Sequence, residues 1–315
     1  MMVNFNHIKS AHDRISNYIH NTPVLTCENI NEETKSSIFF KCDNFQKTGS
    51  FKIRGATNKI LLLSKEQLDN SVITTSSGNH GAAVSSTASK LGTSVKVIMP
   101  NNTPKVKVNN VKRYGGEIIF CEPNIKSRES TLNKMVNETG ATIVHPYNDE
   151  KIIAGQGTAA KELLESIPDL DVIIAPVSGG GLLAGTLLAA KNINPKIEVY
   201  GAEPKNADDA YQSLKQNKII PNKSTDTIAD GLRAQVGTIT FPIIHKYADG
   251  ILVVSEKMII QTMKMIWQRL KIIVEPSCSI VLAALMIHNE QFFNKRIGLI
   301  LTGGNVDLDA LPWNY

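Results

Sequence analysis

The sequence predicts an α/β protein of two lobes, each a parallel sheet flanked by helices. Three observations carry that reading. From Val72 onward, short runs rich in β-branched residues alternate with stretches of helical spacing. Many of the helical stretches close on glycine. Such units are too numerous for one small sheet. In order, "VITTSS", "SVKVIMP", "EIIFCE" and "TIVHP" read as strands, because β-branched and aromatic side chains suit a pleated surface. Between them, "NHGAAVSSTASKLG", "PKVKVNNVKRYG" and "SRESTLNKMVNETG" read as helices. The alternation resumes with the helix "GQGTAAKELLESI", the strand "DVIIAPVS", the helix "GGLLAGTLLAAKNI" and the strands "IEVYGAEP" and "GILVVS". Long helices through "KMIIQTMKMIWQRLK" and from "PSCSIVLAALMIHN" precede a last strand, "IGLILTGG". The expected division is a small α/β lobe over 71–148 and a large lobe over 1–70 and 149–315, with "SIFFKCDN" joining the large lobe's sheet.

Composition narrows the class. With 42% hydrophobic and 20% charged residues in 315, the profile is globular. Lys and Arg exceed Asp and Glu by 34 to 29, and the excess is spread along the chain without a long block of like charge. That argues against a nucleic-acid arm and for a surface that favours anionic small molecules. Cys27, Cys42, Cys121 and Cys278 show no close pairing, so each is expected to be a buried thiol in a reducing compartment. The start "MMVNFNHIKSAHDR" has no apolar core of signal-peptide length, and no run approaches about eighteen apolar residues, so a cytoplasmic protein without membrane spans is expected.

The stretch "TGSFKIRGA" sets Lys52 just inside a helix start, where the macrodipole disfavours a cation, and Arg54 repeats the conflict. Either the helix start is simply solvated, or Lys52 is kept for covalent chemistry with a carbonyl. Ligands of open parallel sheets collect where strands lead into helices. Three loops sit at such places: "SSGNHG", "SGGGLLAG" and "TGGNVD". The second offers unobstructed backbone N–H groups at a helix start, an anion cradle. It lacks the Gly-Lys-Ser/Thr ending of a P-loop and a strand-end acid about twenty residues on, where a dinucleotide ribose would need it; Glu203 ends the next strand but belongs to an acidic cluster of its own, so a monophosphate fits better. The first, with hydroxyls, an amide and an imidazole, suits a carboxylate, although Ser and Asn also serve as helix caps. Thr302 puts a hydroxyl at a strand tip. A lysine, two anion cradles and a neutral hydroxyl are the parts needed for pyridoxal phosphate and an amino acid.

With "GSFKIRG", "SSGNHG", "HPYND", "GQGT", "SGGGLLAG", "GAEPKNADD" and "TGGNVD" in this order, the chain resembles the fold-type II, tryptophan synthase β-like pyridoxal-phosphate enzymes. Within them it resembles the serine racemase and serine/threonine dehydratase branch, from about Asn21 to Asn305. The resemblance implies that Lys52 holds the cofactor as an imine, Phe51 flanks its ring and Asn79 bonds its 3-hydroxyl. Ser178, Gly179, Gly180, Gly181 and Leu182 would take its phosphate, and Thr302 would face the pyridine nitrogen. Ser76, Asn79 and His80 would contact the substrate carboxylate. Ser77 stands where the dehydratases usually carry alanine and the racemases a serine, which implies a second base on the face opposite Lys52; a carboxylate contact or cap is the other reading. Glu203, the carbonyl of Ala207 and Asp209 match a site for Mg²⁺ or Ca²⁺. Lys47, Lys271 and Asn305 match a nucleotide site of the family, whereas Ala82 replaces a glutamine there, so ATP as an activator stays open. A neutral hydroxyl at Thr302 weakens the electron sink, so serine racemisation and serine dehydration to pyruvate and ammonia are expected from one site, in a homodimer. The alternatives are a plain L-serine or L-threonine dehydratase and a non-catalytic amino-acid-binding relative.

Overall fold

The computed structural model describes residues 3–76, 78–103 and 105–313. Its strands are β1 (Val24–Leu25), β2 (Ser37–Cys42), β3 (Val72–Thr75), β4 (Val95–Pro100), β5 (Glu117–Cys121), β6 (Thr142–Ile143), β7 (Val172–Pro176), β8 (Glu198–Pro204), β9 (Gly250–Val254) and β10 (Arg296–Leu301). They form two sheets. The larger runs β1-β2-β10-β7-β8-β9, parallel except for the β1–β2 pair, and the smaller runs β5-β4-β3-β6, parallel throughout. "SIFFKCDN" does enter the larger sheet, as β2. The all-buried β7 has helices on both faces, as its unbroken apolar run demands.

One topological fact positions everything that follows. The last strand, β10, inserts between β2 and β7, with Leu301 opposite Cys42 and Ile297 opposite Val172. The loops leaving β2, β7 and β10 therefore open side by side at one sheet edge, although they are separated by well over a hundred residues of chain.

The helix Pro276–Ile287, buried over nearly its whole length, covers one face of the larger sheet. The helices Glu150–Ser166 and Gly181–Ile193 cover the other, and their glycines let the two backbones meet: a Cβ at Gly185 would lie 2.6 Å from the backbone nitrogen of Gly157. The core of the smaller sheet draws Ile15, Ile53 and Ile60 from the first part of the chain. Cys42, Cys121 and Cys278 are buried thiols, but Cys27 is partly exposed, because it precedes the surface helix Glu28–Thr34 instead of packing in a sheet.

Candidate active site

Lys52 opens the helix Lys52–Ile60. The three residues before it run antiparallel to the loop after β10. Phe51 N–H donates to the Thr302 carbonyl at 2.9 Å, Ser50 bridges to Gly303, and Gly304 N–H donates to the Gly49 carbonyl at 3.0 Å. Gly49 has φ +73°, which a side chain would strain. The Lys52 ammonium donates to the Pro146 carbonyl at 2.9 Å and stands 5.2 Å from the centre of the Phe51 ring. Burial pulls its pKa down to about 8, against the opposing pull of Glu275. This lysine is poised to lose its proton near neutral pH, the condition for nucleophilic and base chemistry.

Arg54 resolves the second conflict with the helix dipole. It is fully buried, and its guanidinium pairs with Asp43 (2.6 Å) and, through two nitrogens, with Glu162 (2.7 and 2.8 Å). Lys41, also buried, reaches Glu162 at 2.7 Å. The four charges cancel, so this cluster anchors the lysine-bearing helix to β2 and to Glu150–Ser166.

The carboxylate-cradle segment leads into the helix Asn79–Lys90. Ser77 lies outside the described residues. Ser76 Oγ accepts from Gly78 N–H at 3.3 Å. Asn79 donates to Glu275 Oε1 at 2.7 Å and accepts from Asn305 Nδ2 at 2.8 Å. His80 is buried with Nε2 3.0 Å from the Val144 carbonyl, and burial lowers its pKa to about 3. Its ring is therefore neutral, and the polar groups this position offers an anion are the first-turn N–H groups.

The glycine loop leaves β7 and becomes the helix Gly181–Ile193. Gly180 has φ +87°, and a Cβ there would lie 2.7 Å from Ile244. A Cβ on Gly179 would lie 2.3 Å from the Tyr147 ring. Thr240 Oγ1 donates to the Gly179 carbonyl at 2.7 Å. The Ser178 hydroxyl both donates to and accepts from the backbone of Ala234, at 3.2 and 3.0 Å, so a phosphate here would be met by backbone N–H groups. The fully buried Ser50 Oγ and the His80 Nδ1 have no hydrogen-bond partner among the described residues. A lysine of lowered pKa, a helix-start cradle open only to glycine and orphaned polar atoms beside them fit pyridoxal phosphate.

Glu275 was not marked in the sequence. It precedes Pro276 at a helix start, an ordinary place for an acid. The fold lays its carboxylate against Gly303, where a Cβ would lie 2.6 Å from Oε1, and against Asn79. Burial raises its pKa to about 7, although Asn79, Lys107 and Lys52 all pull the other way. The segment after β6 was quoted only as a motif. His145 Nδ1 accepts from the backbone N–H groups of Tyr147 and Asn148, which fixes the turn that offers the Pro146 carbonyl to Lys52.

Two further sites lie apart from Lys52. Glu203, at the end of β8, is fully buried and accepts from Ala210 and Tyr211 N–H at 3.0 and 2.9 Å; Asp209 accepts from Asn222 at 2.8 Å and Val236 N–H at 2.7 Å. Burial and the Asp209 charge push Glu203 well above the carboxylate range, and burial raises Asp209 to about 6. Two buried carboxylates relieved only by amides fit a hard divalent cation with oxygen ligands. No three His, Cys, Asp or Glu side chains converge among the described residues, so such an ion would also need backbone oxygen, the role expected of Ala207. Elsewhere, Lys47, Lys90, Lys112, Arg113, Tyr114 and Ser86 line a cavity of about 550 Å³. Lys271 and Asn305 are not among its described lining residues: Asn305 is spent on Thr48 and Asn79, and Ala82 is fully buried.

The chain shares 50% identity with the serine racemase of Arabidopsis thaliana over 311 residues, covering 96% of this chain and 93% of the relative. It shares 46% with the β-hydroxyaspartate dehydratase of Paracoccus denitrificans, covering 97% of each. The solved structure of maize serine racemase superposes with a TM-score of 0.96 at 46% identity, covering 98% of this chain and 95% of that one. A family model described as "Pyridoxal-phosphate dependent enzyme" matches residues 15–303. The lysine, the glycine cradle and the strand-tip threonine thus meet in a chain that belongs to the pyridoxal-phosphate dependent enzyme family.

Proposed function

We propose that this protein is a serine racemase that interconverts L- and D-serine and also dehydrates serine to pyruvate and ammonia. The observation that carries the reading is the seating of Lys52, its proton hold weakened by burial, directly beside Thr302 through the Phe51 N–H. The high identity to serine racemases supports the substrate. Bound pyridoxal phosphate supplies an electron sink for the bond broken at the substrate's α-carbon.

The chain's own residues do the rest. Gly179, Gly180, Gly181 and Leu182, with the backbone of Ser178, bind the phosphate; Phe51 flanks the ring, and Asn79 reaches its 3-hydroxyl. The first turn at Asn79 and His80, with Ser76, binds the substrate carboxylate. Lys52 Nζ moves the α-proton on one face and Ser77 Oγ moves it on the other. Thr302 offers a neutral hydroxyl to the ring nitrogen, which favours loss of a β-hydroxyl in competition with reprotonation. Glu203, Ala207 and Asp209 hold Mg²⁺ or Ca²⁺. The basic cavity beside Lys47 suits the phosphates of ATP; Lys271 and Asn305, which the resemblance assigns to the same nucleotide, are not among its described lining residues. We take the protein to be a cytoplasmic homodimer with lobes at 1–70 plus 149–315 and 71–148. No described helix is long and apolar enough to cross a membrane.

Incubation with L-serine, with chiral analysis and pyruvate measured in the same tube, tests the reading. D-serine and pyruvate together are expected. Pyruvate alone would make the chain an L-serine or L-threonine dehydratase, a reading the dehydratase relative supports. Neither product, with cofactor bound, would overturn both.

A further inference from the structure

The three glycines after Ser178 have no side chains with which to hold their own peptide planes, yet a cradle of backbone N–H groups works only if those planes stay turned one way. The planes are held from outside. The Gly179 carbonyl accepts from Thr240 Oγ1 at 2.7 Å and from Gly237 N–H at 3.2 Å. Because a trans peptide sets its C=O and N–H on opposite sides, this turns the Gly180 N–H away from Gly237 and Thr240. The segment around Gly237 is itself seated by Asn148, whose Oδ1 accepts from Ile239 N–H at 2.8 Å and whose Nδ2 donates to Thr238 Oγ1 at 3.1 Å.

The residue before Asn148 reaches the same glycine directly. A Cβ at Gly179 would stand 2.3 to 2.4 Å from three carbons of the Tyr147 ring, Cγ, Cδ1 and Cδ2, so the glycine lies against the ring. A Cβ at Gly181 would come 3.1 Å from the Tyr147 Cα and carbonyl oxygen. The ring is steadied edge to face by His145, with centroids 4.7 Å apart, and His145 Nδ1 accepts the Tyr147 N–H at 3.2 Å. Between them, Pro146 offers its carbonyl to Lys52. One turn after β6 thus touches both the lysine and the glycine loop, the two ends of the cofactor site. The hydrogen bonds fix how the Gly179–Gly180 peptide is turned, and the ring fixes where Gly179 stands. Resting on the reading of this loop as the phosphate cradle, we propose that Tyr147 is a positioning residue for the cofactor phosphate: its ring holds Gly179 where the Gly180 N–H meets the phosphate. It acts through Gly179, and the ring, not the hydroxyl, carries the effect.

The test strips the cofactor from the full chain and titrates back either pyridoxal phosphate or pyridoxal, which keeps the ring and aldehyde but lacks the phosphate. Absorption of the lysine-bound compound reads both dissociation constants. In Tyr147→Ala, pyridoxal phosphate should bind about tenfold more weakly or worse, the loss expected when a hydrogen bond to a charged group is misplaced, while pyridoxal binds as it does to wild type. Tyr147→Phe should keep the wild-type preference for the phosphate. Should the alanine variant fold poorly, Tyr147→Leu replaces it, with the same loss expected because it has no flat face. An unchanged preference for the phosphate in that variant, an equal loss for both compounds, or a loss in Tyr147→Phe would overturn the proposal. Were wild type itself to bind pyridoxal as tightly as pyridoxal phosphate, the glycine loop would not be the cradle, and the proposal would fall with that reading.

Discussion

The backbone N–H of Phe51 donates to the carbonyl of Thr302 at 2.9 Å, so the residue before the lysine and the residue at the tip of β10 are fixed to each other by one bond. Lys52 needs no long side-chain network to find its place, because the strand order delivers it. Lys52→Ala should therefore leave the fold and the loops intact while removing the covalent anchor and one proton-transfer group together. The visible absorption of lysine-bound cofactor should vanish, and turnover should fall by about a thousandfold or more. A variant that turned over serine at near wild-type rate would refute the assignment.

Glu275 gives a pH prediction. Burial raises its pKa from the ordinary carboxylate value to about 7 in the folded protein, so the native state holds this proton more tightly than the unfolded chain does. Its contribution to stability is fully present below about pH 4.5 and is lost as pH rises through about 7. Glu275→Gln, which keeps an acceptor for Asn79, should remove that dependence. Plotted as the difference between wild type and variant, unfolding free energy should drift by about 2 to 3 kcal/mol between pH 4.5 and 8. A flat difference would mean the carboxyl is ionised throughout.

Glu275 also shows where the sequence stopped being legible. Strands, helices and glycine loops have periods and punctuation that survive in one dimension, and each quoted strand and helix formed. The partner of a buried side chain has no such mark. Nothing in "VEPSCS" says that β10 inserts between β2 and β7 and lays Gly303 against that carboxyl. Arg54 is similar: two residues from Lys52 it read as a dipole conflict, and only its acidic partners, Asp43 and Glu162, one of them more than a hundred residues away, explain it. The Ser178 hydroxyl, expected to help the phosphate, is spent on Ala234.

Arg54→Met should cost about 3 to 5 kcal/mol, because it leaves Asp43 and Glu162 buried with Lys41 as their remaining cation. Chemical denaturation with an unchanged slope checks it. A loss below about 1 kcal/mol would place those acids in contact with water.

Ser77→Ala separates two reactions that share every earlier step. Dehydration of L-serine should survive, since Lys52 still takes its α-proton and loss of the β-hydroxyl needs no group on the far face. Racemisation, and every reaction that begins from D-serine, should fall by about a hundred- to ten-thousandfold. D-serine formation and pyruvate from each enantiomer decide it. Equal loss of all rates would make Ser77 a binding residue.

The pair Glu203 and Asp209 carries the last prediction. Each carboxylate is buried, and what relieves them in the fold is a set of amide donors: two from the first turn of the helix Asp209–Gln216, one from Val236 and one from Asn222. Amides stabilise a carboxylate, but they do not cancel two like charges held close together out of water. A divalent cation with oxygen ligands does. Mg²⁺ or Ca²⁺ should therefore raise the thermal midpoint of wild type, and a chelator should lower it. Glu203→Gln keeps the shape and an acceptor for the Tyr211 N–H while removing one charge. It should abolish the midpoint's response to cation and leave the cofactor absorption in place, because Lys52 is tied to the tip of β10 and Glu203 ends β8, two strands away in the sheet. It should also lose less stability than wild type does on chelation, since one buried charge has gone. If chelator moves neither midpoint nor activity of wild type, these two acids are a helix-capping pair and hold no metal.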